Sequence, residues 1–227
     1  MEQKQLQETR NHPLELLVVA VIIGVTLFLP RLIPQGVDDE VYTLTAIGLY
    51  LGWELVVILA AFLYERRSWS SLGFRDCNFG IQLLWGIGLG ALMGFLFIGI
   101  PLLAGQSPYG IVSFQPWSTQ ALRNEIAMDI LIIGFGEELV YRGFFMQRIR
   151  EHWGTIAGVV GAAVLFSLSH YPNLRSTQQL VITLAMGLIL GFAMVKWKRC
   201  SIVSVALAHG IYDLLLPVVG WVIRALE

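Results

Sequence analysis

Charged residues are scarce in this sequence of 227 residues. Asp, Glu, Lys and Arg make up 14% of it, whereas 56% is hydrophobic. A soluble domain carries about 25% charged residues, so the deficit argues against an ordinary soluble enzyme. The formal net charge of -1 offers no electrostatic basis for binding a nucleic acid. Together with a mean hydropathy of +0.68, the composition is typical of a protein that crosses a membrane several times.

Cysteine is nearly absent as well. Cys77 and Cys200 are far apart in the sequence and lack the spacing of a metal site. We expect both on the cytoplasmic side of a membrane, where thiols stay reduced, so the sequence predicts free thiols rather than a disulfide.

Three well-known protease motifs are also missing. No GxSxG is present, no GxGD accompanies the pair Tyr212-Asp213, and HExxH is absent. The serine and aspartyl designs therefore lack their partner motifs, and the common zinc-protease motif is excluded. We find no internal repeat either, although a transporter built from repeated halves would contain one.

The hydrophobic residues form long runs, which predict an all-α, polytopic transmembrane helix bundle. A spanning helix needs about 20 mostly apolar residues. About seven runs meet or approach that length, near 14–30, 41–64, 80–104, 124–147, 155–171, 178–195 and 201–223. We assign residues 1–64 to an N-terminal region with two spans and residues 65–227 to a core.

The basic residues of the short loops predict the orientation. Most of them, including Arg75, Arg148 and Lys198, fall on the same side as the N-terminus. Because Lys and Arg favour the cytoplasmic side, we expect an integral protein of a bacterial inner (plasma) membrane with a cytoplasmic N-terminus. Its expected partner at this point is the lipid bilayer, with no nucleic acid.

The stretch GFGEELVYRGFF, residues 134–145, places three charges inside a predicted span. A charge at the bilayer centre costs at least about 2.5 kcal/mol, so each one needs a reason. Glu138 and Arg142 are four residues apart and can form a structural ion pair along one helix face. Glu137 points about 100° away and has no such partner. Desolvation favours its neutral form, as suits a general base.

Two later segments supply further polar groups. Phe166 and His170 stand at the end of one span, and His209 and Asp213 are four residues apart within the last. At about 1.5 Å per residue, Glu137 and His209 lie at similar depths, roughly 15–16 Å from the cytoplasmic helix ends. His170 comes out deeper, roughly 22 Å from Thr155, so its helix must tilt or start late. If the groups converge, a carboxylate and two imidazoles would suit hydrolysis.

These three elements resemble the signature of the CPBP family, also called Abi or CAAX-protease-and-bacteriocin-processing proteins. That signature is EExxxR, then FxxxH, then HxxxN or HxxxD, on successive helices. It is matched here by Glu137-Glu138 with Arg142, by Phe166 with His170, and by His209 with Asp213. Residues 69–75, WSSLGFR, resemble a loop motif that often precedes this core.

The resemblance implies an intramembrane endopeptidase, similar to the enzymes that remove three residues from prenylated CaaX proteins. Its implied partner is a peptide or protein substrate, with a prenylated one among the candidates. Glu137 would activate water, His170 would hold or polarise it, and His209 with Asp213 would stabilise the oxyanion. Asp213 stands where eukaryotic members usually have Asn; an ionised Asp cannot donate a hydrogen bond but can orient His209. The family is labelled metalloprotease, and Glu137, His170 and His209 are a plausible zinc ligand set. Metal-free catalysis stays open as well, and we favour it slightly.

Two other function classes remain at this point. A proton-coupled transporter would also place ionisable groups in mid-membrane. A non-catalytic scaffold or bacteriocin-immunity protein could keep the fold without turnover. Glu54, in the second predicted span, belongs to no motif. Glu125 and Asp129 flank the outer start of the fourth span, and we expect them to be solvated or interfacial.

Overall fold

The computed structural model describes residues 39–64, 68–114, 116–174 and 177–227, together with the isolated positions 21, 24, 25 and 28. The predicted span near 14–30, and with it the predicted place of the N-terminus, lies mostly outside the described residues. All regular structure in the described residues is helical. The predicted all-α fold is therefore confirmed.

The helices follow one another with short connections. We label them α1 (Asp39–Leu59), α2 (Phe79–Leu103), α3 (119–153), α4 (155–174), α5 (Thr177–Lys196) and α6 (Ile202–Leu226). Helix α1 continues into a π-helical turn, Ala60–Tyr64. Short 3₁₀ turns, Trp69–Leu72 and Pro108–Gly110, lie in the loops that precede and follow α2.

Several helices are long and apolar enough to cross a bilayer. Among the described residues these are Phe79–Leu103, Thr119–His170, Thr177–Lys196 and Ile202–Leu226, and Ile47–Phe62 is a shorter apolar helix. Large apolar side chains such as Leu84, Leu103 and Ile156 are exposed on their surfaces. Such an apolar surface suits contact with lipid rather than water. The protein is an integral membrane protein.

The run Thr119–His170 contains 52 residues, about 78 Å of helix, whereas the hydrocarbon core is about 30 Å thick. It is broken at Gly154, whose φ of 84° and ψ of 173° are not helical. A Cβ on Gly158 would lie 2.8 Å from the carbonyl oxygen of Met146 and 2.7 Å from Arg150 Cβ. Helix α4 therefore turns back and packs against the end of α3. The predicted span near 155–171 is thus a helix separate from α3.

Replacing Gly154 by Ala should destabilise this turn. Its φ and ψ lie in a region that is almost confined to glycine, and other residues there cost about 1–3 kcal/mol. Nothing lies within 4 Å of the added Cβ, so the expected loss comes from the backbone alone. We expect a lower unfolding midpoint in detergent. Gly88→Ala is the matched control, because Gly88 is helical and also has open space around it. Equal midpoints for the two variants would contradict this account.

Helices α3 and α6 touch through their backbones. A Cβ on Gly134 would lie 2.8 Å from the carbonyl oxygen of Ala206, and one on Gly210 would lie 2.5 Å from that of Asp129. Small residues allow this close packing of membrane helices. The contact brings the turn that carries Glu137 beside the turn that carries His209.

Basic side chains tie the loops together at one end of the bundle. Arg75 donates to the carbonyl oxygens of Trp197 and Cys200 at 2.8 and 2.7 Å, and Arg148 donates to that of Ser71 at 2.9 Å. Residues predicted to share the cytoplasmic side thus meet at the same end. Neither cysteine forms a disulfide. Burial raises the pKa of Cys200, in the loop before α6, to about 11, which makes it a poor nucleophile.

Candidate active site

Two stretches of π-helix flank the residues that the sequence singled out. Ile126–Gly134 and Leu139–Phe145 are π-helical, and the α-helical turn Phe135–Glu138 lies between them. A π-helical turn widens the helix and changes which face each side chain occupies, and such turns are frequent at functional sites. Glu137 and Glu138 therefore sit on the one regular turn within an irregular part of α3.

Glu138 and Arg142 form the predicted pair. Their side chains are 0% and 1% exposed, and Arg142 Nη1 lies 2.7 Å from Glu138 Oε1. The guanidinium also lies over the Phe166 ring, 4.5 Å from its centroid. Glu138 Oε1 has a second partner, His209 Nδ1 at 3.0 Å, which the sequence analysis did not predict. The pair thus joins α3 to α4 and α6.

His209 lies between two carboxylates. Its Nδ1 faces Glu138, and its Nε2 lies 3.3 Å from Asp213 Oδ2. Because a carboxylate can only accept, Nδ1 carries the proton that is donated to Glu138. Asp213 is thus placed to orient the ring.

His170 is oriented by its own helix. Its Nδ1 lies 2.8 Å from the carbonyl oxygen of Phe166. A carbonyl oxygen is an acceptor, so Nδ1 is the donor, and Nε2 of the neutral ring keeps a free lone pair. That Nε2 lies 3.8 Å from Glu137 Oε2. The ring therefore presents a hydrogen-bond acceptor toward Glu137.

Glu137 completes the group. Its Oε2 is buried, has no hydrogen-bond partner in the described structure, and lies 4.0 Å from His209 Nε2 as well as 3.8 Å from His170 Nε2. The four residues predicted to be catalytic, Glu137, His170, His209 and Asp213, therefore occupy one site. Their chemical roles stay predictions.

The depth mismatch of His170 is resolved by the turn at Gly154. Gly158 packs against residues 146–150. Helices α3 and α4 therefore cross at Gly158 and not at Thr155. Counted from this crossing, Glu137 lies about 16 Å along α3 and His170 about 18 Å along α4. The two residues come level because Gly158 is four residues beyond Gly154 on α4, whereas the residues it packs against on α3 are four to eight residues before Gly154.

A cavity of about 120 Å³ opens beside these groups. His170, His209 and Asp213 line one part of it, and the apolar side chains of Met186 and Leu216 line another. The volume is enough for several water molecules. Water and the polar part of a substrate could thus meet the histidines within the bundle.

A zinc ion fits these residues poorly as they stand. Ligands at 2.0–2.1 Å from a tetrahedral zinc lie about 3.3–3.4 Å apart, whereas Glu137 Oε2 is 3.8 and 4.0 Å from the two imidazole nitrogens. Among the described residues, no group of three or more His, Cys, Asp or Glu side chains could hold a metal ion. We therefore derive no catalytic step through a metal.

One expectation about acidic residues was wrong. Asp129, expected to be solvated or interfacial, is only 8% exposed. Its side chain lies close to that of Glu125 and interacts electrostatically with those of Asp213 and His209. Burial follows from the close contact of α3 with α6 at Gly210, which the local sequence does not reveal. An Asp one turn after a Glu was the only available signal.

A comparison with known protein families matches the part of the chain that contains the site. Residues 120–215 match the family model described as "Type II CAAX prenyl endopeptidase Rce1-like". This range contains the four residues predicted to be catalytic, together with Glu138 and Arg142, and it excludes α1 and α2. Searches of curated proteins and of solved structures gave no match. The resemblance noted from the sequence is confirmed: over residues 120–215 the chain is similar to the Rce1-like CAAX endopeptidases, a family of intramembrane proteases.

Proposed function

We propose that this protein is an endopeptidase that hydrolyses a peptide bond of a prenylated or otherwise membrane-associated substrate, and that Glu137 activates the water. One observation carries the proposal. The buried, unpartnered Oε2 of Glu137 lies within 4.0 Å of the Nε2 atoms of both histidines.

The separations suit a single water molecule. A water about 2.8 Å from each partner can bridge atoms that are 3.8 or 4.0 Å apart. It would donate one hydrogen to Glu137 Oε2 and the other to His170 Nε2, which accepts because Nδ1 is occupied by the Phe166 carbonyl. The oxygen lone pair is then free to attack a carbonyl carbon.

The reaction needs two proton transfers by Glu137. The water oxygen forms a bond with the scissile carbonyl carbon while its proton passes to the Glu137 carboxylate. When the tetrahedral intermediate collapses, the C–N bond breaks and Glu137 returns the proton to the leaving nitrogen. A positioned general base and acid of this kind contributes about 10²- to 10⁴-fold in rate.

His209 is suited to stabilise the negative oxygen of the intermediate. Its Nδ1 donates to Glu138, and the residue lines the cavity. When Nε2 is protonated it can donate to the oxyanion. A hydrogen-bond donor aimed at a developing oxyanion is worth about 10²- to 10³-fold.

Cleavage by purified protein tests the proposal. The wild type, Glu137→Ala and His209→Ala would be incubated with farnesylated CaaX peptides and with membrane-segment peptides. Of these three proteins, we expect only the wild type to cleave, and we expect the control variant described next to cleave as well. His152→Ala is the matched control, because His152 lies near the Gly154 turn and away from the site. Cleavage that survives both site substitutions would rule the proposal out, and a chelator in parallel reactions would show whether a metal is needed.

Asp213 should act through its ion-pair contact with His209, whose Nε2 lies 3.3 Å from Asp213 Oδ2. In Asp213→Leu this contact is lost, and we expect kcat to fall by about 10- to 100-fold, since a polar contact with a charged group is worth about 1.5–3 kcal/mol. Asp213→Asn keeps an acceptor oxygen and should lose less than the Leu variant. Steady-state kinetics on a farnesylated CaaX peptide measure both, and a Leu variant as active as the wild type would refute the role.

A further inference from the structure

Glu54 is a buried carboxyl group outside the segment that matches the family. It lies on α1 and is 8% exposed, whereas its neighbour Leu55 is 55% exposed. Glu54, Val57 and Ala61 are the buried positions of this part of the chain, and their spacing places them on one helix face. Helix α1 therefore packs on the bundle through a narrow face, and a carboxyl group stands on it.

That carboxyl group lies against the turn that carries Glu137. A Cβ built on Gly136 would overlap Glu54 Oε1, and it would come 2.5 Å from Glu54 Cδ and 3.1 Å from Cγ. Only glycine leaves this space. Glu54 thus contacts the residue directly before Glu137, and the two carboxyl groups also interact electrostatically.

An apolar side chain would fill the same space at lower cost. Glu54 Oε1 is buried without a hydrogen-bond partner in the described structure. A buried polar atom left in this way costs about 1–3 kcal/mol, and a carboxyl group within a membrane helix adds the cost of insertion. Glu137 Oε2 is in the same state on the neighbouring helix. Two unpartnered carboxyl groups at one place indicate a requirement other than packing.

We propose that Glu54 is a positioning residue for Glu137. Its carboxyl end, seated against Gly136, holds the turn Phe135–Glu138 so that Glu137 Oε2 faces His170 and His209. The role needs both the polar head of Glu54 and the bare Cα of Gly136. It rests on the proposed function of Glu137 as the base, and Glu54 itself does not touch the reacting atoms.

Replacing the polar head tests the first requirement. Glu54→Leu fills a similar volume without polar atoms, and we expect kcat on a farnesylated CaaX peptide to fall by about 10- to 100-fold, since a small misplacement can cost about 10²-fold. The KM should stay near that of the wild type, and the unfolding midpoint should stay at or above the wild-type value. Glu54→Gln should restore most of the loss, and Leu55→Ala is the control on the lipid-facing side. A Leu variant with the kcat of the wild type would show that the Glu54 side chain only occupies space and does not position Glu137.

A pair of small substitutions tests the contact with Gly136. Gly136→Ala places a methyl group where the Glu54 carboxyl lies, so kcat should fall. In the double variant Glu54→Ala with Gly136→Ala, the methyl group has room. The kcat of the double variant should therefore exceed that of Gly136→Ala alone. Losses that simply multiply would overturn the proposal. If the wild type cleaves nothing, or if Glu137→Gln stays active, the proposed function fails and this inference fails with it. Glu137-dependent cleavage without any effect at Glu54 overturns this inference alone.

Discussion

Glu137→Gln should lower kcat for peptide cleavage by about 10³- to 10⁴-fold, at the upper end of what a general base contributes. The amide keeps the shape of the side chain and can still hydrogen-bond to water, but it cannot accept the proton. Since Glu137 Oε2 has no hydrogen-bond partner in the described structure, the substitution removes no hydrogen bond at this atom. The unfolding midpoint should therefore stay at or above that of the wild type.

This combination separates a chemical role from a structural one. A loss of activity accompanied by a large loss of stability would indicate that Glu137 supports the fold. Activity within tenfold of the wild type would show that another group activates the water. Kinetics on a farnesylated CaaX peptide and thermal unfolding in the same detergent measure both quantities.

Arg142→Met should have the largest effect on stability. Arg142 is 1% exposed and pairs with Glu138, which is 0% exposed. Removing one member of a buried ion pair typically costs about 3–5 kcal/mol, because the other charge is left without compensation. The cation–π contact with Phe166 is lost as well. We expect a markedly lower unfolding midpoint, measured by size exclusion of heated samples.

A second substitution should reverse much of that loss. In the double variant Glu138→Gln with Arg142→Met, no unpaired charge is left at these two positions, and the Gln oxygen can still accept from His209 Nδ1. Its midpoint should exceed that of Arg142→Met alone. An Arg142→Met protein as stable as the wild type would show that the pair does not neutralise a buried charge.

The site residues could be predicted because their signals are local. Glu138 and Arg142, and likewise His209 and Asp213, are four residues apart, so helix geometry alone places each pair on one face. The charge of Glu137 in an apolar run was also visible. These predictions needed only the period of a helix and the cost of burying charge, and the residues they named lie together in the structure.

The contacts between helices could not be predicted in the same way. The bond from His209 Nδ1 to Glu138 depends on the close approach of α3 and α6 at Gly134 and Gly210. Nothing in either segment indicates which glycine faces which helix. The same contact buries Asp129, which the sequence placed at the membrane surface. The contact between Glu54 and Gly136 likewise depends on how α1 packs against α3, which the local sequence does not indicate.

The boundaries of the spans could be predicted from the sequence, but the packing of neighbouring spans could not. The hydropathy pattern separated 155–171 from 124–147, and Gly154 divides the two in the structure. The error lay in measuring depth from Thr155, because hydropathy carries no information on where two antiparallel arms cross. Gly158, packed on Met146, sets that crossing.

Direct attack of water on the peptide bond is the central claim, and one labelling measurement tests it most directly. The wild-type protein, in excess over a farnesylated CaaX peptide, would turn over once in H₂¹⁸O, and mass spectrometry would follow the product and the protein. We predict cleavage with one ¹⁸O in the new carboxylate of the peptide and no label on Glu137. Absence of cleavage, or ¹⁸O on Glu137 with an unlabelled product, would contradict the account.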